Sequence, residues 1–173
     1  MNKKTMNEKI LDYIYVVSKQ PVLYRDLLQA NALHNEGMYV DPGKLNFRMN
    51  IANAYIVYAI ICGIVLIPIF AITHTVFADL DFHISLIGTI AATSFVFIGF
   101  NFFRAYMRDK ITKKLIQKAW TLHFPYFPYE KYSEKVEIIY NEAIKKEIHR
   151  KDLEKYVLDR LIDIPTTSTT KED

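Results

Sequence analysis

Two long uncharged runs in an otherwise charge-rich chain predict an all-α membrane protein. The expected architecture is a two-helix transmembrane hairpin with helical cytoplasmic N- and C-terminal arms. Three observations carry this. No Asp, Glu, Lys or Arg lies between Arg48 and Asp79, and none between Asp81 and Arg104. Mean hydropathy is only +0.03 although 51% of the residues are hydrophobic, because charge and apolarity are segregated along the chain. Of the 22 Lys and Arg residues, seven precede the first run, none separates the runs, and fifteen follow the second.

A helix crossing ~30 Å of hydrocarbon needs roughly 20 apolar residues, and both runs supply them. The connection between the runs is too short for a folded domain. The positive-inside rule then places both termini in the cytoplasm and the acidic turn, with Asp79 and Asp81, outside. The expected organisation is an N-terminal helical arm over 1–48, spans over 49–78 and 83–103 joined by 79–82, basic and amphipathic helices over 104–164, and a disordered tail over 165–173. The 173 residues suffice for one ordinary domain. The opening "MNKKTMNEKI" has a basic pair without an apolar run behind it, unlike a secretory signal. Glu8 and Asp12 are out of place in a mitochondrial presequence. A bacterial inner membrane is the expected location.

In the first arm, Met6, Ile10, Tyr13, Ile14 and Val17 recur at helical spacing until Gln20-Pro21 breaks the pattern. A second short helix is expected over "LYRDLLQANAL", then a loop with an Asp41-Pro42-Gly43 turn. This rhythm resembles the opening of a winged-helix domain but lacks a basic recognition helix and a wing. A net charge of +3 is also too small for a nucleic-acid binder, so no nucleic acid is expected as partner.

The first span is longer than a bilayer requires, so it should tilt or begin helical before entering lipid. Pro68 removes one backbone hydrogen bond, which predicts a kink near 64–68. Tyr55 and Tyr58 on the first span, and Phe100, Phe102, Phe103 and Tyr106 on the second, fall where amphipathic rings prefer the cytoplasmic interface. Small residues mark the expected packing seam: Ala59 and Gly63 on the first span, Ser85, Gly88, Ala92 and Gly99 on the second. The Gly88/Ala92 face could instead meet another subunit.

After the second span, Arg104, Arg108, Lys110, Lys113, Lys114 and Lys118 oppose a single acid, Asp109. A basic amphipathic helix of this kind suits an anionic inner leaflet, with Trp120 seated at headgroup level. "HFPYFPYEKY" follows, and its prolines end the helix and turn the chain. It reads as a hinge, with docking of a partner as the lesser alternative. Beyond it, Val136, Ile139, Tyr140, Ala143, Ile144 and Ile148 form one apolar stripe, and Leu153, Tyr156, Val157, Leu161 and Ile162 another, with "HRKD" as a break. Glu142/Lys146 and Glu147/Lys151 have the spacing of helical ion pairs. An apolar stripe of this length needs a covering: the N-terminal arm, another copy of the chain, or a subunit of a membrane complex. Val136, Ile139, Tyr140, Ala143, Leu153, Val157 and Leu161 are the expected partner-binding residues.

Chemistry is sparse. Cys62 is the single cysteine, which excludes an intrachain disulfide and a multi-cysteine metal site. His74 and His83, with Asp79 and Asp81 between them, are the only candidate metal or haem ligands, at one expected membrane face. The spans carry no Asp, Glu, Lys or Arg for an ion path; Thr73, Thr89, Thr93, Ser94 and Asn101 are the polar options weighed for one. Nucleotide loops, catalytic triads and metalloprotease motifs are absent. The expectation is a non-enzyme without cofactor, an accessory or scaffold protein that anchors or assembles a larger membrane complex. A homo-oligomeric two-span channel or membrane effector, and a haem- or metal-binding anchor subunit, are the alternatives.

Overall fold

A computed structural model describes residues 5–78 and 82–163, with side chains throughout those ranges except at 73–78 and 82–85. Among the described residues there are six α-helices: α1 (Met6–Ile14), α2 (Tyr24–Asn35), α3 (Ile51–Ala78), α4 (Phe82–His123), α5 (Tyr129–Lys145) and α6 (Leu153–Ile162). Two three-residue strands, β1 (Tyr15–Val17) and β2 (Phe47–Met49), pair in a small sheet. A 3₁₀ turn spans Pro42–Leu45. The connection 79–81 and the residues from 164 onward, where the outer turn and the tail are expected, lie outside the description.

The chain divides into two compact units. One comprises residues 1–17 and 48–111, the other 18–47 and 112–173. The N-terminal arm is therefore not one element: α1 groups with α3 and the first part of α4, and α2 with α5 and α6.

In the first unit, Thr5 and Glu8 form a capping box, the Thr5 amide donating to Glu8 Oε2 at 3.0 Å. α1 stops at Ile14. Val16 and Val17, β-branched and stiff, continue as strand, so Val17 leaves the helical stripe on which periodicity placed it. Leu11 and Ile14 form the buried face, while Tyr13 is half exposed. α3 runs through Pro68 as one continuous helix. Both α3 and α4 contain stretches long and apolar enough to cross a membrane, Ile51–Ile72 and Leu86–His123, and the 18-residue apolar window within each is almost wholly unburied.

In the second unit, α2 packs on α5, α5 on α6, and the 3₁₀ turn on α2. Asp41 accepts from the Gly43 amide at 2.9 Å, which closes the expected Asp-Pro-Gly turn. α2 ends where Gly37, at φ 68°, lets the Met38 amide return to the Leu33 carbonyl at 2.8 Å. α5 closes in the same way, Ile148 N to Ala143 O at 3.0 Å, but with Glu147 at φ 53°. Glu147 lies past the helix end, so its spacing to Lys151 is not a helical one. The core is apolar: Leu27, Leu28, Ile116, Trp120, Phe124, Val136 and Val157 are all at most 1% exposed. A polar node sits inside it. Asn31, fully buried, donates to the Ser133 carbonyl at 2.9 Å and accepts from the Ser133 hydroxyl at 3.0 Å. An unpaired amide there would cost ~1–3 kcal/mol, so this pair fixes the register of α2 against α5.

Candidate functional site

The first unit gathers the groups that its apolar helices present at one end. α1 is tied to the start of α3 by two hydrogen bonds, Asn50 N to Ile14 O and Asn53 Nδ2 to Tyr13 O, each 2.8 Å. Ala54 is fully buried at this junction, where a small side chain admits the close approach of α1. From there α1 runs back along α3, because Asn7 and Ile10, near its start, share a cleft with Ile61.

α3 and α4 meet through rings rather than small residues. Tyr55 stacks on Phe100 at 4.2 Å, Tyr58 sits edge-on to Phe100 at 5.3 Å, and Phe103 lies 5.4 Å from Tyr58. The Tyr58 hydroxyl donates to the Val96 carbonyl at 2.7 Å and lies against Gly99, where a Cβ would come within 2.5 Å of it. Of the expected small-residue seam, Gly99 stands at such a close approach and Gly63 does not. Ala59 and Ala92 are exposed, Gly88 is half-buried, and around Gly63 a Cβ would meet only Ile67 of its own helix. Ser85 lies outside the described side chains. The Thr93 and Ser94 hydroxyls donate to the Thr89 and Ile90 carbonyls of their own helix, at 2.8 and 2.9 Å.

Below the rings lies a band of cations. Arg104 is 5.8 Å from the Phe100 ring centre, and Lys110 Nζ is 5.3 Å from that of Tyr106. Tyr15 is buried beside this band. Burial pushes its hydroxyl up to about 12, against the opposing pull of Arg108 and Arg104. Between α1, α3 and α4 is a cleft of ≈280 Å³. Ile10, Leu11, Ile61, Phe103 and Met107 give it apolar walls; Tyr106, Asn7 and Lys110 also line it, and among the described residues Lys110 is its one charged side chain.

The second unit holds the remaining candidates. Lys113 and Lys118 are exposed and Lys114 half-buried. Trp120 is not at a headgroup seat: it is 1% exposed, donates from Nε1 to the Phe127 carbonyl at 2.6 Å, and packs on Phe124 at 4.5 Å. "HFPYFPYEKY" is accordingly a turn folded around that indole, with Phe124 buried and Tyr126 89% exposed. The seven expected partner-binding residues, Val136, Ile139, Tyr140, Ala143, Leu153, Val157 and Leu161, are all buried in this unit's own core. α2 supplies the covering that the stripes required, so they are interior surface rather than a docking face. Burial raises the Tyr24 and Tyr140 hydroxyls. On the outside, Glu142 binds Lys146 at 2.6 Å and Arg160 at 3.0 Å, and these two hydrogen bonds hold its carboxyl down to about 2.

No group of three or more His, Cys, Asp or Glu that could hold a metal occurs among the described residues. The side chains of His74 and His83 lie outside them. A scan of protein-family models, a search of curated proteins and a search of solved structures each match nothing to this chain.

Proposed function

We propose that this chain is a non-catalytic accessory or scaffold protein of a bacterial inner membrane. In this reading α3 and α4 cross the bilayer as a hairpin, both termini are cytoplasmic, and the α2–α5–α6 unit is held at the inner face to anchor or assemble a larger complex. The observation that carries the reading is the lateral surface of α3 and α4. Ile64, Ile67, Ile72, Phe95 and Phe97 are 69, 71, 76, 75 and 71% exposed, on stretches of α3 and α4 that are almost wholly unburied. In water that much contiguous apolar surface would drive association; in a bilayer it is solvated.

The position of α1 supports it further. Glu8, Lys9 and Asp12 ride beside the first ten or so residues of α3, as far as Ile61, which argues against placing that stretch in hydrocarbon. From Ile61 to Ala78, α3 rises about 26 Å at 1.5 Å per residue, close to the ~30 Å of a hydrocarbon core. The excess length of the first span is thus used as an interfacial platform. Hydroxyls that bond their own helix carbonyls need no aqueous lumen, so Thr93 and Ser94 lend no support to a channel.

Alkaline carbonate extraction should leave the chain in the membrane pellet. A reporter active only in the cytoplasm should work when fused after Asp173, and one active only outside should work when inserted at 79–82. Native electrophoresis of mildly solubilised membranes should show the chain in a species much larger than itself. A freely soluble chain, or a C-terminal reporter working outside, overturns the membrane reading; a lone monomer in native membranes overturns the scaffold.

A further inference from the structure

We infer that the cleft between α1, α3 and α4 seats one acyl chain of an anionic phospholipid, whose phosphate rests on Lys110. The inference deepens the membrane reading and rests on it. Shape comes first. Phe103 and Lys110 are seven residues apart on α4, so the cleft extends about 10 Å along that helix, with Ile61 as its wall on the transmembrane stretch of α3. An apolar cavity of ~150 Å³ takes benzene; in proportion, ≈280 Å³ takes about eleven carbons, most of an acyl tail.

Chemistry selects the occupant. Ile10, Leu11, Ile61 and Met107 offer nothing for water to bond, so water gains little by entering. The neighbours available beside Ile61 are lipid tails, because the adjoining Ile60 and Ile64 are 57 and 69% exposed. Toward the other end Lys110 is exposed, and its cation suits a lipid head of net negative charge rather than a zwitterionic one. Arg104 and Arg108 stand on the same stretch of α4 and add to the positive field at that level. The cationic band is, in this account, a site for one lipid and not merely a topology signal.

The full chain, purified in dodecyl maltoside, is mixed with dioleoyl phosphatidylglycerol or dioleoyl phosphatidylcholine and read by native mass spectrometry. One phosphatidylglycerol per chain should be retained in preference to phosphatidylcholine. Lys110→Gln should lower that preference about fivefold, the worth of one cation at an anionic surface. Met107→Trp, which fills the cleft from α4, should remove retention of both lipids at unchanged helix content. Ile61→Trp fills it from α3 and serves should Met107→Trp lose helix. Equal retention of the two lipids by the unsubstituted chain, or lipid retention undiminished in a folded cleft-filling variant, overturns the inference. A chain that pellets with membranes yet holds no lipid fails here alone, whereas one absent from membranes fails the parent reading.

Discussion

Val157→Asp separates a core residue from a docking residue. Val157 is 0% exposed, inside a unit whose covering helix α2 comes from the other end of the chain. Removing a fully buried valine forfeits ~1.5–3 kcal/mol of apolar burial. The carboxylate put in its place costs several kcal/mol more to desolvate, or takes up a proton at a similar penalty. About 5 kcal/mol in all is a third or more of the ~5–15 kcal/mol that holds an ordinary domain together. Ile138→Asp is the matched control: the same charge on α5, at a position 67% exposed, where surface substitutions shift stability by about 0.5 kcal/mol or less. Trp120, the single tryptophan and 1% exposed, reports the unit's unfolding by its emission in a urea titration of the full chain in detergent. Val157→Asp should unfold the unit or move its midpoint far down, with Ile138→Asp near the unsubstituted chain. Equal midpoints for the two variants would refute the reasoning, because Val157 would then be a surface waiting for a partner.

Trp120→Phe keeps an aromatic ring but strands the Phe127 carbonyl, so it should cost ~1–3 kcal/mol in a urea titration followed by far-ultraviolet circular dichroism. In vesicles, brominated lipid tails should leave Trp120 emission nearly unquenched, since the indole is packed in protein and not among headgroups. Ala54→Leu overpacks the α1–α3 junction and should cost ~1–3 kcal/mol, seen as faster amide exchange across residues 5–17 with 129–162 unaffected. Glu142, held down to about 2 from an ordinary 4.5, contributes stability that is fully present above pH 4.5 and lost as pH falls through about 2. Lys146→Ala should move the Glu142 carboxyl titration, followed by NMR, back toward 4.5, and Glu142→Gln should flatten the acid limb of the stability curve. Glu147→Gly removes a side chain from a left-handed position and should stabilise the α5–α6 connection by up to ~1 kcal/mol, read as a higher urea midpoint.

Charge segregation by itself determined the two apolar helices, because a run without Asp, Glu, Lys or Arg over more than twenty residues has few other physical uses. Helical periodicity likewise determined that α5 and α6 would each bury one face, and the prolines of 123–132 determined where α4 ends. Capping and turn signals at Thr5–Glu8 and Asp41–Gly43 were local and equally legible, as was Glu142–Lys146. The covering of those faces was decided only by tertiary structure. A stripe reports that a side is buried without naming what buries it, and Asn31 meets Ser133 across 102 residues of chain. Trp120 shows the same ambiguity: an amphipathic ring beside lysines suits a membrane interface and a protein core alike, and the folding of Phe124 and Phe127 around it decided for the core. Small residues at helical spacing admit close approach without requiring it, so Gly99 received Tyr58 while Gly63 met only Ile67 of its own helix. The cleft at Lys110 was invisible in sequence because its walls come from three helices, and only their packing brings Asn7, Ile61 and Lys110 around one space.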